Sequence, residues 1–207
     1  MSRKSPYDIF DQKPKRVVRP RVLIDLDGVV RDFVGSLIKS YKKVYPEHEV
    51  KPVNSRRLED FFPIGTGIYD FIKDGRIDEI MAEAEAYPGA VEALHRWKAD
   101  FEIVVVTAQL PISRAATYVW IGKNDIPANE VHISFHKSEL PGFALLDDFV
   151  DNLEEFRATG RLAVCLDQPW NQHWEGPRVK NVDEFFQLVL DVVNREQLND
   201  REEPLTT

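Results

Sequence analysis

The stretch that decides the fold is RVLIDLDGVV, residues 21–30, in which an apolar segment runs into two carboxylates and a glycine. The apolar residues 22–24 are typical of a strand buried on both faces of a parallel sheet. Gly28 favours a turn by which the chain leaves that strand. Because open α/β sheets bind ligands beyond the carboxyl ends of their strands, we expect Asp25 and Asp27 to face a binding crevice.

The two aspartates of this stretch are close enough to repel one another when both are ionised. A Mg²⁺ ion, which prefers carboxylate and carbonyl oxygens, would remove that conflict. An ionised Asp25 held beside a bound phosphate would then be able to attack phosphorus and form an aspartyl-phosphate. The alternative is a capped strand end or a solvated turn, because two aspartates separated by one residue also arise by chance.

Length and composition limit the classes of protein that the sequence allows. A chain of 207 residues, 43% of them hydrophobic, can bury the core of one domain with an elaboration. The formal net charge of −8 argues against a nucleic-acid polymer as principal partner, because such binding relies on basic surfaces. A small phosphorylated substrate remains compatible, since only its pocket must be positive.

Sequence features also bear on the compartment. No apolar run approaches the length of a membrane span, and residues 1–20 lack the apolar segment of a signal peptide. The lone Cys165 lies in an apolar run typical of a buried strand, so we expect a structural role for it in a reducing environment. The prediction is a cytoplasmic protein with no membrane partner, and a homodimer is compatible with it. We expect residues 1–20 to be a solvated basic tail, with an organellar address or a nucleotide-facing arm as alternatives.

Hydrophobic periodicity predicts five short strands separated mostly by helices. This alternation predicts an α/β fold: a doubly wound, Rossmann-like parallel sheet with right-handed crossovers. The predicted strands are the one that begins at Arg21 and residues 101–107, 131–135, 143–146 and 162–166, and the predicted helices are 33–44, 113–123, 151–159 and 182–193, with a further helix that opens at Pro88-Gly89.

The alternation breaks in residues 34–87, where prolines and glycines separate short helical patterns at 69–73 and 77–85. We interpret this segment as a small helical cap inserted after the first strand. The α/β core then comprises residues 21–33 and 88–194, and residues 195–207 form a polar tail.

Polar residues follow three of the predicted strands. Asp25 and Asp27 follow the first strand, Thr107 ends the second, and Asp147 and Asp148 follow the strand at 143–146. Because the carboxyl ends of parallel strands share one edge of a sheet, these side chains are predicted to meet at a single site.

The same residues resemble the ordered motifs of a known family. Their order is that of the four motifs of haloacid-dehalogenase-type phosphatases, and it extends over about two-thirds of the chain. This family implies a haloacid-dehalogenase-type α/β core. The four motifs are Asp25-x-Asp27-Gly28-Val29, Thr107, Lys137 and Leu145-Leu146-Asp147-Asp148.

A closer resemblance is to the 5'(3')-deoxyribonucleotidases, which remove phosphate from deoxynucleoside monophosphates. The similarity includes Asp32-Phe33 after the first motif and the Pro88-Gly89-Ala90 helix start. It also includes Asp151 after the fourth motif and the stretch 167–172. The substrate class is therefore an implication of the resemblance, whereas the residues alone indicate a Mg²⁺-dependent phosphoryl-transfer site.

The resemblance implies a role for each acidic motif residue. Asp25 would be the nucleophile, and Asp27 would protonate the leaving oxygen and then activate the hydrolytic water. Mg²⁺ would bind the Asp25 carboxylate, the Asp27 backbone carbonyl and Asp148. Asp147 is the second candidate for the last ligand, or a water-mediated partner. The alternative for the adjacent pair is a simple turn, but two acids directly after an apolar strand are costly without a cation.

The other two motif residues would bind the phosphate. Thr107 would donate its hydroxyl to a phosphate oxygen, and Lys137 would supply a fixed positive charge. The alternatives are a strand end or helix cap for Thr107 and a surface lysine for Lys137. Arg31 and Arg114 are further candidates for the phosphate, although we expect both to be surface charges.

Aromatic side chains are the candidates for base recognition, because their faces stack on nucleobases. Phe33 matches a position of the base pocket in the resembled family, and Phe61 and Phe62 in the cap are candidate further walls. Packing in the core is the alternative for all three. Two departures concern the same site: Ala108 stands where the family commonly has a hydroxyl residue, and Phe149 where it commonly has an arginine.

The resulting prediction is a Mg²⁺-dependent phosphatase, of the 5'-nucleotidase type, that converts nucleoside monophosphates to nucleoside and phosphate. One alternative is a phosphatase for another small phosphate monoester or for nucleic-acid 3' ends, of which the acidic net charge disfavours the second. The other alternative is a non-catalytic nucleotide-binding module, which the retention of Asp25, Asp27, Lys137 and Asp148 disfavours.

Overall fold

The computed structural model describes residues 19–202, with side chains described as far as Arg195. All six strands are parallel and form one sheet. The strands are β1 (Arg21–Ile24), β2 (Glu102–Thr107), β3 (Glu130–Ile133), β4 (Ala144–Asp147), β5 (Leu162–Leu166) and β6 (Arg178–Val179). Their order across the sheet is β3-β2-β1-β4-β5-β6, so β1 lies in the middle and the α/β fold is confirmed.

Helices connect the strands and flank the sheet. Asp32 caps the first of them, because its carboxylate accepts a hydrogen bond of 2.8 Å from the Gly35 amide. This helix ends at Val44, before Pro46, as the sequence predicts. The helices are α1 (Phe33–Val44), α2 (Gly67–Lys73), α3 (Ala90–Trp97), α4 (Arg114–Lys123), α5 (Val150–Ala158) and α6 (Val182–Glu202), with 3₁₀ turns at Leu58–Asp60, Pro111–Ser113 and Lys137–Glu139 and a π-helical turn at Asp78–Ala82.

The central strand is buried on both faces, as its apolar sequence predicts. Val22 and Ile24 pack into a cluster with the apolar sides of α3 and α6. Leu23 points to the opposite face, into a cluster with Leu153 and Phe156 of α5. Two-sided burial fixes the position of β1, and hence of the residues that follow it, relative to the rest of the sheet.

Residues 34–87, named the cap segment here, supply most of a further apolar cluster, named the cap cluster, to which Ala116 of α4 also contributes. Leu37 and Tyr41 of α1 and Ile68 of α2 are fully buried in it, and Phe71 of α2 is 9% exposed. Two neighbouring linkers join the segment to the sheet. They are paired by hydrogen bonds from the Asp32 amide to the Glu85 carbonyl (2.9 Å) and from the Tyr87 amide to the Val30 carbonyl (2.8 Å).

Several element boundaries differ from the predictions. The two-residue strand β6 was not predicted, because a strand this short gives no periodic signal. The strand predicted at 131–135 is β3, which covers 130–133, since its partner β2 ends at Thr107 opposite Ile133. Helix α6 continues to Glu202, into the predicted polar tail. The predicted basic tail lies outside the described residues, except for its last two residues.

The fold also bears on the predictions for Cys165 and for membrane-spanning segments. Cys165 is fully buried in β5, and burial raises the pKa of its thiol to about 12, which fits the structural role predicted for it. Within the part of the chain that the structure describes, no helix is both long and apolar enough to span a membrane.

Candidate active site

The carboxyl ends of three neighbouring strands bring the motif residues together. Asp25 directly follows β1, and its amide donates a hydrogen bond of 3.0 Å to the Leu146 carbonyl of β4. Thr107 is the last residue of β2, and Asp147 is the last residue of β4. Because β1 lies between β2 and β4, these side chains share one edge of the sheet.

Three buried carboxylates form a cluster at this edge. One oxygen from each of Asp25, Asp147 and Asp148 lies within 4.8 Å of the others. The ammonium of Lys137 is buried among them, 3.0 Å from Asp25 Oδ2 and 2.6 Å from Asp147 Oδ2. One ammonium cannot neutralise three carboxylates, and the excess negative charge in a buried oxygen-rich site fits a divalent cation such as Mg²⁺.

The hydrogen bonds distinguish the two adjacent aspartates. Both oxygens of Asp147 are engaged: Oδ2 accepts from Lys137 (2.6 Å) and from Asn152 Nδ2 (3.0 Å), and Oδ1 accepts from the Phe149 amide (2.9 Å). Asp147 is therefore occupied in holding Lys137, which makes it the poorer candidate for direct metal binding.

Asp148 is more available to a metal ion. Its Oδ2 accepts a hydrogen bond of 2.7 Å from the Trp170 indole, and no bond to Oδ1 is found among the described residues. Gly28, at φ +80°, provides the space for this carboxylate, because a Cβ at that position would lie 2.1 Å from Asp148 Oδ2. Gly28 of the first motif thus leaves the space that Asp148 of the fourth motif occupies.

Burial and mutual repulsion shift the pKa values in the cluster. Burial raises the pKa of Asp25 to about 7; the ammonium of Lys137 opposes the shift and the charge of Asp147 adds to it. Burial also raises the pKa of Asp148, and the charges of Asp147 and Asp25 add to that shift. Although burial alone would lower the pKa of Lys137, the same two carboxylates raise it, so the lysine is charged. A bound divalent cation would favour the ionised acids.

Asp27 is not a member of the acid cluster. Its carboxylate accepts from Arg31 through Nε (2.7 Å) and Nη2 (2.9 Å), and from Gln109 Nε2 (2.9 Å). Arg31 is fully buried, so the expectation that it is a surface charge is wrong. Its burial follows from pairing with the carboxylate four residues earlier. Arg114 is exposed, as expected.

The Thr107 hydroxyl is the unpartnered polar group of the site. The side chain is 1% exposed, and its Oγ1 has no hydrogen-bond partner among the described residues. Buried hydroxyls normally form hydrogen bonds, so an unpaired one on a residue that lines a cavity is free to bond to a ligand atom. Thr107 does end strand β2, as one of the alternatives expected, but its hydroxyl caps no helix among the described residues.

A cavity of about 330 Å³ opens above these residues, a size suited to a small-molecule ligand. Phe33 lines it, as expected, and so does Ala108. Phe61 and Phe62 do not line it: Phe62 is buried against the Tyr41 ring and Phe61 packs on the same cap cluster. The lining consists of Asp25, Asp27, Gly28, Phe33, Val34, Val53, Ser55, Arg56, Leu58, Thr107, Ala108, Phe135, Asp148, Phe149, Asn152 and Trp170.

Comparison with known proteins identifies the family. The sequence model of the family described as 5' nucleotidase, deoxy (pyrimidine), cytosolic type C protein matches residues 19–197. The chain belongs to this family. The match includes every residue of the acid cluster, Lys137 and Thr107, so the resemblance drawn from the motifs is confirmed and the protein is a phosphatase.

Curated relatives of this 5'-nucleotidase family member are distant in sequence. The chain is 23% identical over 177 residues to a Chlorobaculum tepidum protein named provisionally as a 5'(3')-deoxyribonucleotidase, with 80% of this chain and 88% of the relative covered. It is 24% identical over 143 residues to the mitochondrial 5'(3')-deoxyribonucleotidase of Mus musculus, with 63% of this chain and 65% of the relative covered.

Solved structures of similar shape confirm the fold of the family member. A haloacid dehalogenase-like hydrolase from Streptococcus pneumoniae superimposes with a TM-score of 0.58 at 13% identity, over 83% of this chain and 98% of the other. An L-2-haloacid dehalogenase from Xanthobacter autotrophicus has the same TM-score at 11% identity, with the same coverage of both chains. At these identities the likeness concerns the fold alone.

The site of this family member contains residues that the sequence analysis missed. Arg56 of the cap segment lines the cavity, and it is the only cation among the described lining residues. Its guanidinium lies over the Phe149 ring and pairs with Asp151 Oδ2 at 2.8 Å. Trp170 and Phe135 line the cavity as well. No local pattern marks Arg56 or Phe135 as site residues, because the fold alone brings them to the sheet edge, and Trp170 lies in the stretch 167–172, which resembles the family without a role assigned to any single residue.

Proposed function

We propose that this protein is a Mg²⁺-dependent phosphatase that hydrolyses deoxynucleoside monophosphates through an aspartyl-phosphate on Asp25. The observation that carries the proposal is the buried cluster of three carboxylates and Lys137 beside the unpartnered Thr107 hydroxyl. The carboxylate of Asp25, the backbone carbonyl of Asp27 and Asp148 would hold the ion. When bound, Mg²⁺ supplies positive charge that orients the phosphate and neutralises it for attack by an anion.

The environment of Asp25 suits a nucleophile. Its Oδ1 accepts a hydrogen bond of 2.8 Å from the Leu26 amide and its Oδ2 lies 3.0 Å from Lys137 Nζ, so the carboxylate is held in one orientation. A bond forms from Asp25 to phosphorus as the bond to the ester oxygen breaks. Thr107 donates to a phosphoryl oxygen, and Lys137 stabilises the negative charge that the phosphoryl group carries.

Asp27 suits the proton transfers of the same reaction. In its protonated form it gives a proton to the leaving ester oxygen in the first step and becomes a carboxylate. In the second step it takes a proton from water, which attacks phosphorus, releases phosphate and restores the Asp25 carboxylate. Its place two residues from the nucleophile, among the residues that line the cavity and with a side chain that is 24% exposed, supports this role.

The proposed substrate class combines the cavity with the names of the relatives. Phe33, Phe135 and Trp170 line the cavity and are candidates to stack on a nucleobase, whereas the Arg56 guanidinium lies over the ring of Phe149. Arg56 places a cation on the wall formed by the cap segment, where it suits an anionic ligand. The names of two relatives, 5'(3')-deoxyribonucleotidases, support a deoxynucleotide rather than another phosphate monoester as the proposed substrate.

Phosphate release from a substrate panel tests the proposal. The purified full chain is incubated with Mg²⁺ or EDTA and with deoxynucleoside and ribonucleoside monophosphates, p-nitrophenyl phosphate and a 3'-phosphorylated oligonucleotide. We expect release from deoxynucleotides, its loss in EDTA, and a fall of at least about 10³-fold in Asp25→Asn. The control is Asp100→Asn, which changes an exposed aspartate and keeps full activity.

Three outcomes would contradict the proposal. Release from the oligonucleotide alone would favour the end-processing alternative. Nucleotide binding without turnover would favour a non-catalytic module. Undiminished turnover in folded Asp25→Asn would exclude this aspartate as the nucleophile.

A further inference from the structure

The most deeply buried charge outside the acid cluster is the guanidinium of Arg31. The side chain is 0% exposed, which is costly for a group that stays ionised at all ordinary pH values. Such burial requires full pairing. The partners of Arg31 therefore indicate why an arginine is present at this position.

The first partner is Asp27, through a two-point contact. Arg31 Nε donates to Asp27 Oδ1 at 2.7 Å, and Nη2 donates to Oδ2 at 2.9 Å. A paired contact of this kind fixes the plane of the carboxylate as well as its distance. Asp27 lines the cavity whereas Arg31 does not, so the guanidinium holds the carboxylate from the side away from the cavity.

A closed ring of hydrogen bonds supports the same contact. Arg31 Nη2 donates to Thr117 Oγ1 (3.2 Å), and Thr117 Oγ1 donates to Gln109 Oε1 (2.6 Å). Gln109 Nε2 returns to Asp27 Oδ2 at 2.9 Å. The Trp120 ring packs 5.3 Å from the guanidinium carbon. Rotation of the Asp27 carboxylate would break several of these contacts together.

Arg31 also lies where the cap segment joins the sheet. Its Nη1 donates to the Met81 carbonyl of the π-helical turn at 3.3 Å, and its backbone pairs with that of Ala86, near the end of the cap segment. Residues on both sides of the junction therefore fix the guanidinium. A movement of Asp27 relative to the cap segment would therefore break at least one of these hydrogen bonds.

We infer that Arg31 is a positioning residue for proton transfer: it fixes the Asp27 carboxylate in the orientation from which it serves the leaving oxygen and the attacking water. This inference rests on the proposed function. The competing explanation is a purely structural ion pair, which would stabilise the fold without acting through Asp27. The two explanations differ in how substitutions at Arg31 and Asp27 combine.

A double-mutant cycle separates them. The enzymes compared are wild type, Arg31→Met, Asp27→Asn and the double variant, with kcat and KM measured on the best nucleotide of the panel. Methionine keeps most of the volume of the arginine stem but offers no donor. The control is Arg114→Met, in which an exposed arginine changes and both constants stay at the wild-type values.

We expect Arg31→Met to lower kcat at least about tenfold while KM changes less than about threefold, because Arg31 does not line the cavity. In the Asp27→Asn background the same substitution lowers kcat less than about threefold, since its target is already lost. An equal loss in both backgrounds, or a change in KM alone, would overturn the inference. If Arg31→Met does not fold, as judged by its melting transition, Arg31→Lys keeps the charge without the two-point contact and is expected to show the same pattern.

The leaving group provides a second readout. p-Nitrophenolate leaves with little need of an acid, so the first turnover of p-nitrophenyl phosphate is expected to keep its wild-type rate within about threefold in Arg31→Met. A first turnover slowed as much as that of the nucleotide would contradict a role in proton donation. If Asp25→Asn is inactive but Asp27→Asn is not impaired, the inference fails while the proposed function stands; if Asp25→Asn stays active, the proposed function itself fails.

Discussion

Replacement of Lys137 by methionine tests the charge balance of the acid cluster. Lys137 is 1% exposed and is shared between Asp25 Oδ2 (3.0 Å) and Asp147 Oδ2 (2.6 Å). Removal of one partner of a buried ion pair costs about 3–5 kcal/mol, because the remaining charge is left uncompensated. Methionine fills most of the lysine's volume, so this cost is electrostatic. In EDTA at neutral pH, we therefore expect Lys137→Met to lower the free energy of unfolding by about 3 kcal/mol or more.

Mg²⁺ is expected to restore part of the free energy of unfolding that Lys137→Met loses, because the acid cluster of the variant is more negative and binds the ion more strongly. At a free ion concentration of about one hundred times the Kd, binding adds about 2.7 kcal/mol to the free energy of unfolding. Urea unfolding in EDTA and in saturating Mg²⁺ measures both quantities. The exposed Lys73→Met serves as control and is expected to change stability by less than about 0.5 kcal/mol. A loss below about 1 kcal/mol in EDTA, or an equal loss in EDTA and in Mg²⁺, would refute the reasoning.

Three further predictions concern single residues. Gly28→Ala is expected to displace the Asp148 carboxylate, because the new Cβ would lie 2.1 Å from Asp148 Oδ2. Titration calorimetry on the folded variant should then show no Mg²⁺ binding. An unchanged affinity for Mg²⁺ would count against Asp148 as a ligand. Trp170→Phe removes the 2.7 Å hydrogen bond to Asp148 and should weaken Mg²⁺ about tenfold in the same assay, with full affinity as the contrary result. Glu130 pairs with Arg21, which lowers the pKa of its carboxyl to about 2, so the pair's contribution is present above pH 4.5 and lost as the pH falls towards 2. Glu130→Gln should thus lose less than about 1 kcal/mol near neutral pH and nothing near pH 2, and a loss that is independent of pH in urea titrations would contradict it.

The parts of the fold that are visible in the sequence are those with local signals. Residues 22–24 and the valines before Thr107 have the continuous apolar character of strands buried on both faces, and the structure places them at the centre of the sheet. Because parallel strands share a carboxyl edge, Asp25 and Asp147 could be assigned to one site without knowledge of any distance.

The features of the site that could not be predicted from the sequence depend on contacts between distant segments. Arg31 is buried because the cap segment and α4 close over it, and only the spacing of four residues from Asp27 hints at the pair. Phe62 lies in an irregular part of the cap segment and packs inside the cap cluster, whereas Phe135, which was predicted to end a strand, lies beyond β3 and is 57% exposed at the cavity. Periodicity in short irregular segments does not determine which face a side chain presents, so these two positions could not be distinguished.

The most direct test of the central claim is to find where the phosphoryl group goes. Protein mixed with ³²P-labelled deoxynucleotide and Mg²⁺ is quenched in acid during the first turnovers and digested, and its labelled peptide is sequenced. We expect the label on the peptide that contains Asp25 and its absence from Asp25→Asn. Turnover of the nucleotide with no label on that peptide, or with label on another residue, would contradict the account.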